Sequence, residues 1–137
     1  MIITHHGKQF FKLQTGDRVI ALNPIAKESK FKTSGFGADV ALITTNHPDY
    51  NGSETVTYGD RAPFIISGPG EYELSGIIFR GYGSKGTDGK KDLMNAIYYF
   101  EFDGIKICFL GALYEGNIST EAREAIDDVD ILFVPIG

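Results

Sequence analysis

A β-rich, mixed α/β layered fold is predicted for this 137-residue chain by three observations. Short apolar runs of strand length alternate with Gly, Asn, Asp and Pro clusters over most of the chain. An Asp-Gly pair, Asp103-Gly104, separates two strongly β-forming runs. A single segment, Ser119 to Ile126, carries a helix signal, and an apolar run follows it.

Taken in order, residues 2–4, 9–14 and 18–22 read as strands, with Gln14-Thr15-Gly16-Asp17 as a hairpin connection between the last two. Residues 39–43 form a short buried strand. Residues 63–67 and 71–80 form two more, punctuated by Ser67-Gly68-Pro69-Gly70. Ala96 to Phe102 and Ile105 to Leu110 flank the Asp-Gly turn as a hairpin. The helix starts on a hydroxyl N-cap and lacks the reciprocal Glu of a capping box. Asp130 to Pro135 then reads as a fully buried strand, and the chain stops at Ile136-Gly137 with no further helix to cover it. An open, apolar strand edge favours pairing, so the expected partner is a second copy of the chain or a polypeptide that supplies the remainder of the fold.

Composition narrows the function. Hydrophobic residues at 42% and charged residues at 23% describe a soluble globular chain, expected to be one domain over residues 1–137. A net charge of -5 gives no electrostatic footprint for nucleic acid, and the densest basic run, Lys90-Lys91, is followed at once by Asp92. No stretch approaches the roughly 18 apolar residues of a membrane span. His5, His6 and Lys8 stand where a signal peptide would be apolar, which predicts a cytoplasmic location. The single Cys108, inside Ile105-Lys106-Ile107-Cys108-Phe109-Leu110, agrees with a reducing compartment and reads as a small apolar strand residue.

The motif with chemical content is Thr44-Thr45-Asn46-His47-Pro48-Asp49-Tyr50, directly after the apolar run Val40 to Ile43. A dinuclear hydrolase loop, His-x-His-x-Asp-His, packs imidazoles and a carboxylate into six residues, because two adjacent ions need several donors from one turn. Here those positions read Thr45, His47, Asp49 and Tyr50, so two donors are kept. Other motifs carry less. Gly81-Tyr82-Gly83-Ser84-Lys85-Gly86 matches Gly-x-Gly-x-x-Gly, but the turn-like Thr87 to Lys91 follows it where a dinucleotide site needs a helix; a flexible glycine-rich loop is expected. His5 and His6 are adjacent on a strand and point to opposite faces. Tyr98-Tyr99-Phe100 reads as a strand with one aromatic face in the core. Asn51-Gly52-Ser53 and Asn117-Ile118-Ser119 are glycosylation-type triplets without meaning in the absence of secretion. No Ser or Cys has a His at a recognisable triad spacing.

The order of these features resembles the metallo-β-lactamase superfamily, in the branch of predicted zinc-dependent hydrolases related to L-ascorbate-6-phosphate lactonase. The similar stretches are Ile2 to Gly7 with Phe10-Phe11, Ile20-Ala21-Leu22-Asn23-Pro24, the loop 44–50, Ser67-Gly68-Pro69-Gly70-Glu71-Tyr72-Glu73, Asp88-Gly89, Phe102 to Leu113 and Val129 to Gly137. The resemblance implies an αββα sandwich, incomplete at its C-terminus, of which this chain is the N-terminal part. It also implies a site, and there the chain departs from the pattern. His47 and Asp49 are remnants of the metal loop. Thr45 and Tyr50 stand at histidine positions, Thr87 stands where a histidine precedes an Asp-Gly pair, and Ala112 stands for the metal-bridging aspartate within Leu110-Gly111-Ala112-Leu113. Asn23-Pro24 replaces an Asp-Pro, and Lys8 replaces the histidine after the first glycine.

The resemblance therefore implies a scaffold without its di-zinc centre, cofactor or catalytic residues: a non-catalytic binding or assembly module. Lys8 would put a positive charge where the family places cations, standing in for a metal or binding an anion. The alternative is a divergent metal-dependent hydrolase, phosphodiesterase or lactonase in type, with one weakly held zinc ion on His47, Asp49 and His5 or His6.

Overall fold

The computed structural model describes residues 1–114 and 118–135; Asn117 of the second triplet and the terminal Ile136-Gly137 lie outside the described residues. Two units, Met1–Ser67 and Gly68–Gly137, each build one five-stranded sheet.

In the first unit the strands are β1 (Ile2–His5), β2 (Phe11–Thr15), β3 (Arg18–Leu22), β4 (Val40–Leu42) and β5 (Phe64–Ile66), in that spatial order. β1 to β3 form an antiparallel meander, and β3, β4 and β5 run parallel. The hairpin predicted at Gln14 to Asp17 is present, and Gly16 (φ +60°) supplies its left-handed position. β4 is buried at all three positions and β3 at four of five, which explains why neither shows a polar alternation in sequence. One buried cluster joins Phe10, Val19, Ala21, Ile25, Ala38, Ala41 and Val56, with Phe36 packed against it. Arg61 clamps the entry to β4. Its guanidinium donates to Asp39 Oδ1 and Oδ2 at 3.1 and 2.7 Å and to the Asp17 carbonyl, while Asp39 Oδ2 also accepts from the Val19 N–H. Burial alone would raise the Asp39 carboxyl, but the Arg61 and Val19 hydrogen bonds outweigh it and hold the group below its usual range.

The second unit contains β6 (Gly70–Leu74), β7 (Ile77–Thr87), β8 (Asp92–Phe102), β9 (Ile105–Phe109), α1 (Thr120–Asp127) and β10 (Ile131–Phe133), in sheet order β10-β9-β8-β7-β6. All pairs are antiparallel except β9 and β10. The Asp103-Gly104 hairpin holds, with both residues at positive φ (57° and 72°) as a two-residue I′ turn requires. On one face Phe79, Tyr98, Phe100, Phe102, Ile107 and Phe109 are buried; on the other Ile97, Cys108 and Leu110 pack with Ala122 of α1. Small residues, Ala122 and Ala125, let the helix lie close to the sheet. The hydroxyl cap is real: Ser119 Oγ accepts from the Ala122 N–H at 3.1 Å.

Four expectations are corrected. The strand predicted over 71–80 is two strands joined at Ser75-Gly76, whose φ values of 53° and 81° make a second tight turn. Gly81 to Gly86 is not a flexible loop but part of β7, paired residue for residue with β8. Gly86 is required there, because a Cβ would sit 2.7 Å from the Ala112 carbonyl oxygen. β8 begins at Asp92 rather than Ala96, since pairing with β7 carries the strand past Asn95, which interrupts the apolar run. β10 is not fully buried: Leu132 is 39% exposed, because successive strand residues alternate faces. Among the described residues, no helix is long and apolar enough to cross a membrane.

Candidate functional site

The loop 44–50 leaves the end of β4 through a buried polar joint. Asn23, fully buried with φ +45°, accepts from the Thr44 N–H at 2.9 Å and donates to Thr44 Oγ1 at 2.8 Å. Each such bond adds about 1 kcal/mol and, lost singly, leaves a buried polar group unpaired. The far end of the loop is stapled by Ala26 N–H to the Pro48 carbonyl and Gly52 N–H to the Pro24 carbonyl. Gly52 lies so close to Ile25 and Ala26 that any Cβ would overlap their backbone. Between these anchors the chain turns tightly, with His47 N–H on the Thr45 carbonyl and Tyr50 N–H on the His47 carbonyl.

This turn gathers His47, Asp49 and Tyr50; Lys8, a candidate from the family resemblance, lies beside it, and the structure adds Ser29. Ser29, buried, donates its hydroxyl to Asp49 Oδ1 at 2.6 Å. Lys8 Nζ lies 3.9 Å from Asp49 Oδ2, and also 4.9 Å from the centroid of the Phe31 ring and 6.0 Å from that of Tyr50. His47 Nδ1 accepts from the Asp49 N–H at 3.1 Å, so a neutral ring carries its proton on Nε2. Its ring packs against Tyr50 at 5.6 Å. Thr45 and Tyr50 are both buried, at 2% and 6% exposure. Lys8 reaches the loop from a tight turn between β1 and β2, closed by Phe10 N–H on the Gly7 carbonyl and by the His5 ring on the Lys8 carbonyl, and it holds a left-handed backbone (φ +48°).

His5 and His6 face apart, as expected. The His5 ring stacks on Phe11 at 4.7 Å, whereas His6 packs between Phe10 and Phe36 at 5.0 and 5.2 Å. Burial, then Lys12 and His5, push the His6 imidazole toward its neutral form.

Thr87 and Ala112 belong to the second unit, where they are neighbours: the Thr87 N–H donates to the Ala112 carbonyl at 3.3 Å. Thr87 Oγ1 donates to the Lys91 carbonyl and accepts from the Gly89 N–H, closing the turn after β7. Ala112 is held by Asn95, a buried residue on β8 that sequence reasoning missed. Asn95 Oδ1 accepts from the Ala112 N–H at 3.0 Å, and Nδ2 donates to the Leu110 carbonyl and Ser84 Oγ, both at 2.9 Å. One polar residue at the start of the apolar run 96–100 was its sequence signal.

Among the described residues, the donors of the loop 44–50 do not fit a di-zinc centre. Structural zinc takes four protein ligands and catalytic zinc three. Among the described residues, no three His, Cys, Asp or Glu side chains gather at one point. Asp49 already has a hydroxyl on one oxygen and an ammonium 3.9 Å from the other.

The profile of the beta-lactamase superfamily domain matches residues 2–137. A candidate Zn-dependent hydrolase of the metallo-β-lactamase superfamily from Thermotoga maritima is similar at 28% identity with a TM-score of 0.74, over 98% of this chain and 61% of that one. The chain thus spans about three-fifths of that relative's length. A candidate metal-dependent hydrolase from Parabacteroides distasonis (17% identity, TM-score 0.65, 98% and 69% covered) shares the fold. So does CmlA, a diiron β-hydroxylase from Streptomyces venezuelae (14% identity, TM-score 0.62, 96% and 34% covered). The comparison with curated proteins gives no significant match.

Proposed function

The chain belongs to the beta-lactamase superfamily, and from that premise we propose that it is a non-catalytic member, a binding or assembly module that works without a metal cofactor. The observation that carries this reading is the state of Asp49: the loop keeps its carboxylate, but Ser29 donates a hydroxyl to one of its oxygens and the Lys8 ammonium stands 3.9 Å from the other. Thr45, Tyr50, Thr87 and Ala112 support it, because each puts a weak donor or none at a ligand position. Holding a metal-bound hydroxide near neutral pH takes firm ligation with one open position. In this reading the partner is a second copy of the chain or a polypeptide that supplies the remainder of the fold. Exposed apolar residues on outer strands support that: Ile2 and Ile3 on β1, Phe64 and Ile65 on β5, Leu132 on β10. We place the module in the cytoplasm, on its single buried cysteine.

The similarity to the Thermotoga protein favours a second reading, a divergent hydrolase with one metal ion at His47 and Asp49, whose Nδ1 and Oδ2 lie 3.8 Å apart. Metal analysis of protein purified without chelator, combined with phosphodiesterase and lactonase assays, separates the two. The expected result is zinc far below one per chain and no turnover. Stoichiometric zinc that disappears in His47→Ala, with hydrolysis lost alongside it, establishes the second reading instead.

A further inference from the structure

We propose that Asp49, Phe31 and Tyr50 form a cage for a primary ammonium ion, and that the chain fills this cage with its own Lys8. The inference rests on the non-catalytic reading of the loop and names what has replaced the metal: an organic cation, tethered. Three observations converge on it. The Lys8 Nζ stands beside a carboxylate oxygen, 3.9 Å away, and over two ring faces, at 4.9 and 6.0 Å. A carboxylate with aromatic faces is the arrangement that holds alkylammonium ions, through charge and through the negative ring quadrupole. The carboxylate is aimed by a buried hydroxyl, Ser29 Oγ on Asp49 Oδ1. Finally, Lys8 is kept in a left-handed backbone conformation that L side chains disfavour, and two hydrogen bonds of the β1–β2 turn hold it there.

The cage discriminates among cations by its chemistry. One carboxylate, with the His47 Nδ1 3.8 Å from its Oδ2, and two ring faces leave a strongly hydrated divalent ion short of the three protein ligands an open zinc site takes. They suit a compact ammonium on an alkyl stem, which buries its carbons and keeps its charge. Removing the tether should therefore open a site for a free alkylammonium ion.

The test uses the 137-residue chain, labelled with nitrogen-15, and n-butylammonium chloride as the probe, with sodium chloride at matched ionic strength as control. In Lys8→Ala the amides of Phe31, Asp49 and Tyr50 should shift saturably with butylammonium. Apparent affinity should fall about tenfold or more in the wild type, where Lys8 competes, and in Lys8→Ala combined with Asp49→Asn. Shifts no larger than those from sodium chloride, or shifts indifferent to Asp49→Asn, overturn the cage. Should Lys8→Ala fail to fold, the wild type decides: the Lys8 Hε protons should carry an upfield ring-current shift that Phe31→Leu removes, and unshifted protons overturn the proposal. Failure here with a zinc-free, inactive wild type defeats the cage alone. Stoichiometric zinc and turnover in the wild type defeat the non-catalytic reading.

Discussion

Cys108 shows how burial sets chemistry one residue at a time. With no exposed surface, its thiol is pushed up to about 12 from 9.0, because the folded interior penalises the thiolate. Folding then favours the neutral form. The contribution to stability is complete below 9.0, where the unfolded thiol is also neutral, and is lost as pH rises from there toward about 12. Urea midpoints should hold between neutrality and 9.0, then fall, more steeply in the wild type than in Cys108→Ala. Native protein should resist a thiol reagent at about pH 8 and react as it unfolds; prompt stoichiometric labelling of native chain would contradict this. The buried-strand reading of Cys108 was legible in its apolar neighbours. The environment of Asp49 was legible only in part: the family resemblance pointed to Lys8, 41 residues away, whereas Ser29, 20 residues away on a loop of no fixed periodicity, carried no signal.

At the scale of elements, the least predictable joint is the staple from β8 to the segment 110–112. Asn95 satisfies two backbone groups and Ser84 from one buried amide. Asn95→Ala leaves a buried N–H and a buried carbonyl without that partner, so urea denaturation should show a loss of about 2–4 kcal/mol. A loss under about 0.5 kcal/mol would mean the joint is not held by Asn95. Strand and turn signals served well where local chemistry dictates the answer, as at Asp103-Gly104 and at the Ser119 cap. They failed at Gly81 to Gly86, because continuous pairing with β8 outweighs the weakening that glycine brings to a strand. Here eleven-residue strands pair along their length, and Gly86 makes room for the Ala112 carbonyl.

For the molecule as a whole, the proposed assembly turns on the exposed apolar residues of the outer strands. Ile2 is 65% exposed and Phe64 50%, at opposite edges of the first sheet. Strands that present apolar side chains and unpaired backbone at an edge tend to pair. Light scattering at micromolar concentration is expected to give a mass of two or more chains, reduced by Ile3→Lys or Ile65→Lys. A monomer in the wild type would remove the assembly half of the proposed function. The net charge of -5 is too small to oppose association over more than about a Debye length at physiological salt.

The sequence by itself determined the β-rich class and the hairpin turns at Gly16 and Asp103-Gly104, because residue type and short spacing carry those directly; the reading of 45, 50, 87 and 112 as substituted positions comes from the family resemblance. Tertiary structure decided what the substitutions left behind. A carboxylate that keeps its place in the loop is read as a metal remnant from sequence, yet its partners are set by distance in space. Folding puts a serine hydroxyl on one of its oxygens and a lysine ammonium beside the other.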